Sequence, residues 1–126
     1  MTRDEALTLI AAERLRQIEV EGWTSEHDDE HAFGEMQHAA LAYLLSAERR
    51  PYSSLYTQPT IWPWAAQWWK PKGPGRDLVR AGALCMAESD RLIRRHQNHL
   101  AEKLAPVVRL FERIVNALMT VDREAA

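Results

Sequence analysis

The spacing of apolar residues predicts a protein built from α-helices. In residues 4–21 the apolar positions recur at helical intervals, and Thr2 followed by Glu5 has the spacing of a capping box. Gly22 is placed to end this first helix. Its apolar positions are Leu7, Ile10, Ala11, Leu15 and Ile18. We expect this stripe to face the core.

Further helical patterns follow along the chain. We predict a second helix over 29–48 with Asp28 or Asp29 as its N-cap, a third from 75 to 96 or beyond, and a fourth starting near Pro106. The third has an apolar stripe of Leu78, Ala81, Leu84, Cys85 and Leu92, and the fourth one of Val107, Leu110, Phe111, Ile114, Val115, Leu118 and Met119. No β-type alternation occurs, so we predict one all-α domain over 1–126, a bundle of four to five helices with 97–126 as a C-terminal helical extension.

Residues 51–76 differ in composition from the rest of the chain. They contain five of the six prolines and four of the five tryptophans. Proline and glycine exclude a long helix, whereas disordered segments are poor in aromatic residues. We predict a long ordered functional loop with a short helical turn around "WAAQWW".

Composition narrows the range of partners. The 126 residues have a formal charge of −2 and a single cysteine, which suits a reducing compartment. The charged N-terminus is unlike a signal peptide, and no apolar run has the roughly 20 residues of a membrane span. We expect a cytoplasmic protein with no membrane association, and nucleic acid is not a favoured partner.

The stretch "EHDDEH", residues 26–31, introduces the first candidate site. On a continuous helix His31, Glu35 and His38 would share one face and could converge on a divalent cation, with Asp28 adding an oxygen. The alternative is that these acids only cap a helix and that the histidines are solvated.

A second acidic pair lies on the third predicted helix. Asp77 and Glu88 are about three turns apart and share a face, so they can help to bracket Mg²⁺. Alternatively, Asp77 only complements the helix dipole and Glu88 is solvated. The stripe of Glu13, Gln17 and Glu21, interleaved with Arg14 and Arg16, is typical of a solvated face with local ion pairs.

The stretch "WPWAAQWWKPKGPGR" is the third candidate. Trp68 or Trp69 can stack on a base, and nearby cations can hold phosphates. Those cations are Lys70, Lys72 and Arg76. The alternative is that the tryptophans cap the helical core or form a dimer contact.

Several of these stretches together resemble a known family. "ERLRQ", the His/Asp loop, the acidic helix and "DLVRAGALCMAESDRL" are similar to MazG-like all-α nucleotide pyrophosphohydrolases of phage and prophage type, over about residues 8–95. Of the family pattern EExxE, the stretch "GEMQH" keeps only the acid at Glu35. Of the pattern ExxD, the stretch "PGRD" keeps only Asp77. Either His38, His31 and Glu88 replace the missing acids, or the metal chemistry has been lost.

The resemblance implies cleavage of a nucleoside triphosphate to monophosphate and pyrophosphate by a homo-oligomer that uses Mg²⁺ or Mn²⁺. Glu35, His38, Asp77, His31 and Glu88 would then hold the metal. A competing hypothesis from the residues is a non-catalytic phage or prophage protein that binds a host protein or a nucleotide through its tryptophan-rich segment.

Overall fold

Five α-helices make up the fold in the residues that the structure, a computed structural model, describes, 1–95 and 98–121. They are α1 (Arg3–Glu19), α2 (Ser25–Asp29), α3 (Glu35–Glu48), α4 (Pro74–Arg94) and α5 (Leu100–Thr120), and a 3₁₀ turn spans Ala66–Trp68. Those two ranges contain no strand, and none of their helices is long and apolar enough to cross a membrane. The predicted all-α class is confirmed. Residues 96–97 and 122–126, which belong to the predicted third helix and C-terminal extension, lie outside the described residues.

Helix α4 is the centre of the bundle, since α1, α2, α3 and α5 all pack against it. Its apolar stripe faces the core as the spacing predicts, with Leu92 partly buried and the other four residues buried. Gly82 allows α1 to approach closely, because a Cβ built there would lie 2.6 Å from Cδ1 of Ile10. Cys85 is fully buried in the core, and burial, with a smaller contribution from Glu88, raises the pKa of its thiol to about 12.

The first helix forms as predicted but buries a different face. Thr2 makes the predicted capping box with Glu5. The expectation that Ala11, Leu15 and Ile18 face the core is wrong, since all three are exposed, Leu15 at 53% and Ile18 at 38%. The second half of α1 instead turns polar side chains inward, namely Glu13, Arg14 and Gln17. This orientation is stabilised by ionic and hydrogen-bonded contacts, which an apolar periodicity does not reveal.

The predicted second helix is wrong over its first third. Helix α2 ends at Asp29, and α3 begins only after Gly34, which has a left-handed φ of 82°. Thr24, not an aspartate, caps α2 by accepting a hydrogen bond from the His27 N–H. Asp28 is fully buried and accepts a hydrogen bond from Arg14 at 3.1 Å. Because this carboxylate pairs with the buried guanidinium of Arg14, it does not cap the helix.

The predicted helix start at Pro106 is also wrong. Helix α5 begins at Leu100, so Pro106 lies inside it. A proline in a helix interior removes one backbone hydrogen bond, but its ring still fits the helical φ. The apolar stripe that follows it, from Val107 to Leu118, packs into the core. That burial offsets the lost hydrogen bond.

Residues 49–73, which we call the tryptophan loop, are tied to the bundle by Asp77. This buried carboxylate accepts hydrogen bonds from the hydroxyls of Ser46 on α3 and Tyr52 in the loop, and from the Lys72 N–H. The Tyr52 hydroxyl in turn accepts from the Gly73 N–H. Burial raises the pKa of Asp77, against the lowering effect of its three donors. Both ends of the loop are therefore held by one buried group.

We predict that Gly82→Ala destabilises the protein by about 1–3 kcal/mol, because the new Cβ overpacks the fully buried Ile10 side chain. Urea denaturation followed by circular dichroism measures the loss. Combining it with Ile10→Val, which removes the nearest carbon, should recover part of the stability. A double mutant whose loss equals the sum of the two single losses would contradict this close approach as the cause.

Candidate functional site

A cleft of about 790 Å³ opens between α1, α2 and the tryptophan loop. One wall comes from α1 and the residues that follow it, and the opposite wall comes from the loop. Helix α3 contributes Tyr43, and α4 contributes Arg80 and Leu84. Its lining side chains are mainly aromatic or charged. They include Glu13, Arg16, Gln17, Glu21, Trp23, His27, His31, Tyr43, Trp62, Trp64, Trp68, Lys70, Lys72 and Arg80.

A continuous column of rings crosses the cleft. The Trp23 ring stacks on His27 at 5.5 Å between centroids, and His27 meets His31 edge-on at 5.0 Å. The His31 ring then lies 5.2 Å from Trp64. Three of the rings lie in α2 or within two residues of it, and the fourth, Trp64, belongs to the tryptophan loop. The column therefore links α2 to that loop.

A second aromatic cluster supports the loop wall from behind. Trp64 contacts Trp62 edge-on at 5.3 Å, and Trp62 packs on Tyr43 and Trp69. The Trp62 N–H donates to the Ala65 carbonyl. Because these rings are anchored to α3 through Tyr43, the wall is held rigidly in position.

The α1 wall is a chain of charged and polar groups. The Arg16 guanidinium donates two hydrogen bonds to Glu13, at 2.8 and 2.9 Å, and a third to Glu21 at 2.8 Å. Burial acts to raise the pKa of Glu13, but its hydrogen bonds and the Arg16 charge outweigh burial and lower it. Glu13 is therefore a carboxylate that can only accept.

This carboxylate orients the side chain of Gln17. The Gln17 amide NH₂ lies 3.3 Å from Glu13 Oε2, so the NH₂ group must face the carboxylate. The Gln17 carbonyl oxygen is left without a hydrogen-bond partner, although only 2% of the residue is exposed. The indole N–H of Trp64, across the cleft, is likewise buried and unpartnered. One unpartnered acceptor and one unpartnered donor thus belong to residues that line the cleft.

The charges of the lining favour an anion. Four cationic side chains line the cleft against two carboxylates, in a chain whose net charge is −2. Glu13 and Glu21 are already paired with Arg16. The ammonium groups of Lys70 and Lys72 make no ion pair among the described residues. Lys70 lies 5.8 Å from the centre of the Trp68 ring.

The predicted substrate-binding residues divide into two groups. Trp68, Lys70 and Lys72 line the cleft. Trp69 lies behind it, where it stacks on Tyr43 and donates its indole N–H to the Tyr56 carbonyl. Arg76 is exposed on the first turn of α4 and does not line the cleft. Three of the five predicted substrate-binding residues therefore line the cleft.

The predicted metal-binding residues are not brought together. His31 precedes α3 and contacts Glu35 at 3.3 Å, while His38 is exposed on α3. Asp77 is held by the tryptophan loop, and Glu88 makes two hydrogen bonds to Arg91. Within 1–95 and 98–121 no group of three or more His, Cys, Asp or Glu residues is arranged to hold a metal. In this part of the chain the five side chains are therefore not gathered at one point, and the Mg²⁺ assignment stays a prediction.

Sequence reasoning missed the α1 wall. Glu13, Gln17 and Glu21 were expected to form a solvated face, but Glu13 and Gln17 are buried. The available signal was their spacing, which puts them on one side of the helix opposite the apolar Leu15. When one helix has both a polar and an apolar stripe, its sequence alone does not show which of the two faces is buried.

Comparisons of this chain with family models, curated proteins and solved structures gave no match. The side chains that line the cleft are therefore the basis for a functional assignment.

We predict that Glu13 contributes stability that depends on pH. A lowered folded-state pKa means that this stability is present above the ordinary pKa of 4.5 and is lost as the pH falls through the folded value. The difference in unfolding free energy between the wild type and Glu13→Gln should therefore be large at neutral pH and shrink in acid. Urea denaturation across this range measures it. The exposed Glu26→Gln serves as the control, and a difference independent of pH would contradict the prediction.

Proposed function

We propose that this chain binds a nucleoside phosphate in the cleft. The observation that carries the proposal is the pair of buried, unpartnered polar atoms, the Gln17 carbonyl oxygen and the Trp64 indole nitrogen, in a cleft walled by aromatic rings. A buried polar group without a partner costs about 1–3 kcal/mol, so a ligand that satisfies both atoms gains that energy.

A nucleobase meets these requirements. It is planar, so it stacks on indole rings, and base–aromatic stacking contributes about 1–3 kcal/mol. Its edge carries both a donor for the Gln17 carbonyl and an acceptor for the Trp64 N–H. A simple aromatic ring would stack but leave both atoms unpartnered.

The phosphates would lie toward Lys70 and Lys72. Both side chains are exposed and line the same cleft as Trp64. The Lys72 backbone is held by Asp77, so the ammonium group extends from a fixed point. Point charges of this kind are suited to phosphate oxygens.

We predict that Gln17→Met and Trp64→Phe each weaken nucleotide binding by at least roughly three- to tenfold, because each removes one hydrogen bond. Gln17→Met keeps the length of the side chain, whereas Trp64→Phe keeps an aromatic ring but reduces the area for stacking. Titration of ATP, GTP, CTP and UTP in EDTA, followed by tryptophan fluorescence and calorimetry, measures this. Gln67→Met, at an exposed loop position away from the lining, is the matched control. Absence of binding by all four nucleotides would overturn the proposal.

Cleavage of the bound nucleotide is the second candidate, and it rests on the resemblance to MazG-like pyrophosphohydrolases. The observation in its favour is that two carboxylates, Glu13 and Glu21, line the same cleft as the lysines. Mg²⁺ is commonly bound through one or two carboxylates together with substrate phosphates. Glu21 is exposed, so its carboxylate is the one accessible to a metal–triphosphate complex.

We predict that the protein with Mg²⁺ or Mn²⁺ releases pyrophosphate, not orthophosphate, from a nucleoside triphosphate. Glu21→Gln should lower this rate by roughly tenfold or more through loss of a metal-facing charge. Glu19→Gln, an exposed position on α1 outside the lining, is the control. Nucleotide binding without any pyrophosphate release would remove the enzymatic proposal and retain the binding one.

The non-catalytic alternative is supported by exposed apolar side chains of the tryptophan loop. Leu55 is 89% exposed and Trp68 59% exposed, as at surfaces that contact other proteins. A host protein would bind there with no need for Gln17 or Trp64. Loss of partner binding in Leu55→Ser, with nucleotide binding unchanged, distinguishes this function from the first.

A further inference from the structure

Two histidines in the cleft are each backed by a carboxylate. The Nδ1 of His27 lies 3.2 Å from Asp28 Oδ1, and the Nδ1 of His31 lies 3.3 Å from Glu35 Oε2. A carboxylate only accepts hydrogen bonds, so in the neutral imidazoles the proton is placed on Nδ1. The Nε2 atom of each ring then carries a lone pair.

The two carboxylates are themselves held in place. Asp28 is fully buried and accepts a hydrogen bond from Arg14, and Glu35 accepts one from the Phe33 N–H at 2.7 Å. The tautomer and the orientation of both imidazoles are therefore set by fixed groups. A metal-ligating histidine in proteins almost always has such a partner on its other nitrogen.

The two rings are also close to each other and open to the cleft. Their centroids are 5.0 Å apart, and both residues line the cleft. Among the described residues, the Nε2 atom of neither ring makes a hydrogen bond. Stacking of Trp23 on His27 and the tilted ring contact of Trp64 with His31 restrict rotation of the pair.

We propose that Nε2 of His27 and Nε2 of His31 bind one divalent transition metal ion, of the class of Zn²⁺, Ni²⁺ or Co²⁺, for which imidazole is a suitable ligand. The remaining coordination positions are left to water or to oxygen atoms of a cleft ligand, as in open metal sites. Asp28 and Glu35 orient the ligands and do not touch the metal. This site shares His31 with the Mg²⁺ site expected from the sequence, but it differs in its second histidine ligand and in its ion.

The site does not depend on the proposed nucleotide binding. Metal binding is measured without nucleotide, and nucleotide binding is measured in EDTA, so either can fail alone.

The test is titration of the full chain with Ni²⁺, followed by quenching of tryptophan fluorescence, since Trp23 and Trp64 lie next to the two imidazoles. We expect saturable quenching with one ion per chain, displaced by Zn²⁺ and not by Mg²⁺. His27→Asn and His31→Asn should each weaken binding at least tenfold. Glu35→Gln should weaken it by roughly 10- to 100-fold, as loss of an orienting carboxylate does elsewhere.

The matched controls are His38→Asn and His99→Asn, at exposed histidines away from the cleft, which should bind as the wild type does. If one of these variants does not fold, the metal ligands can still be identified on the wild-type protein. Two-dimensional NMR of ¹⁵N-labelled imidazoles should show that Zn²⁺ moves the Nε2 resonances of His27 and His31 and leaves their Nδ1 atoms protonated. Unsaturable quenching, unchanged affinity in His27→Asn and His31→Asn, or shifts confined to other histidines would overturn the proposal.

Discussion

The buried carboxylate of Asp77 is the contact on which the cleft depends. It lies on the first turn of α4, accepts from Ser46 of α3, and holds the tryptophan loop through Tyr52 and the Lys72 N–H. The loop has no α-helix of its own to support it, only the 3₁₀ turn Ala66–Trp68. One carboxylate with three donors thus positions a 25-residue segment, residues 49–73, as a wall.

The opposite wall results from an unusual orientation of α1. This helix turns Glu13, Arg14 and Gln17 inward and leaves Leu15 and Ile18 exposed. Burying charge is costly unless it is paired, and here the two pairs are Arg16 with Glu13 and Arg14 with Asp28. The first pair leaves the Gln17 carbonyl free for a ligand. The second fixes α2, and with it the imidazole of His27. A helix that buried its apolar stripe would provide neither feature.

The local charge of the cleft differs from the net charge of the chain. The protein is net acidic, yet the cleft has more cationic than anionic side chains, and both of its carboxylates pair with Arg16. Because the Gln17 carbonyl oxygen and the Trp64 indole nitrogen are buried, leaving them unpartnered is costly. These properties favour a planar, anionic ligand over either an apolar one or a bare phosphate.

The sequence alone determined the all-α class, the capping box at Thr2, the burial of the α4 stripe, and the concentration of tryptophans and lysines in one segment. These depend on local spacing and on side-chain type, which can be read without long-range contacts. Tertiary structure decided which face of α1 is buried, where α3 begins, and that Asp28 and Asp77 are internal. It also separated Asp77 from Glu35, which the sequence had grouped together, and joined His27 to His31. Those outcomes depend on ion pairs and ring contacts between residues far apart in the chain, such as Arg14 with Asp28 and His31 with Trp64. Periodicity within one helix does not contain that information.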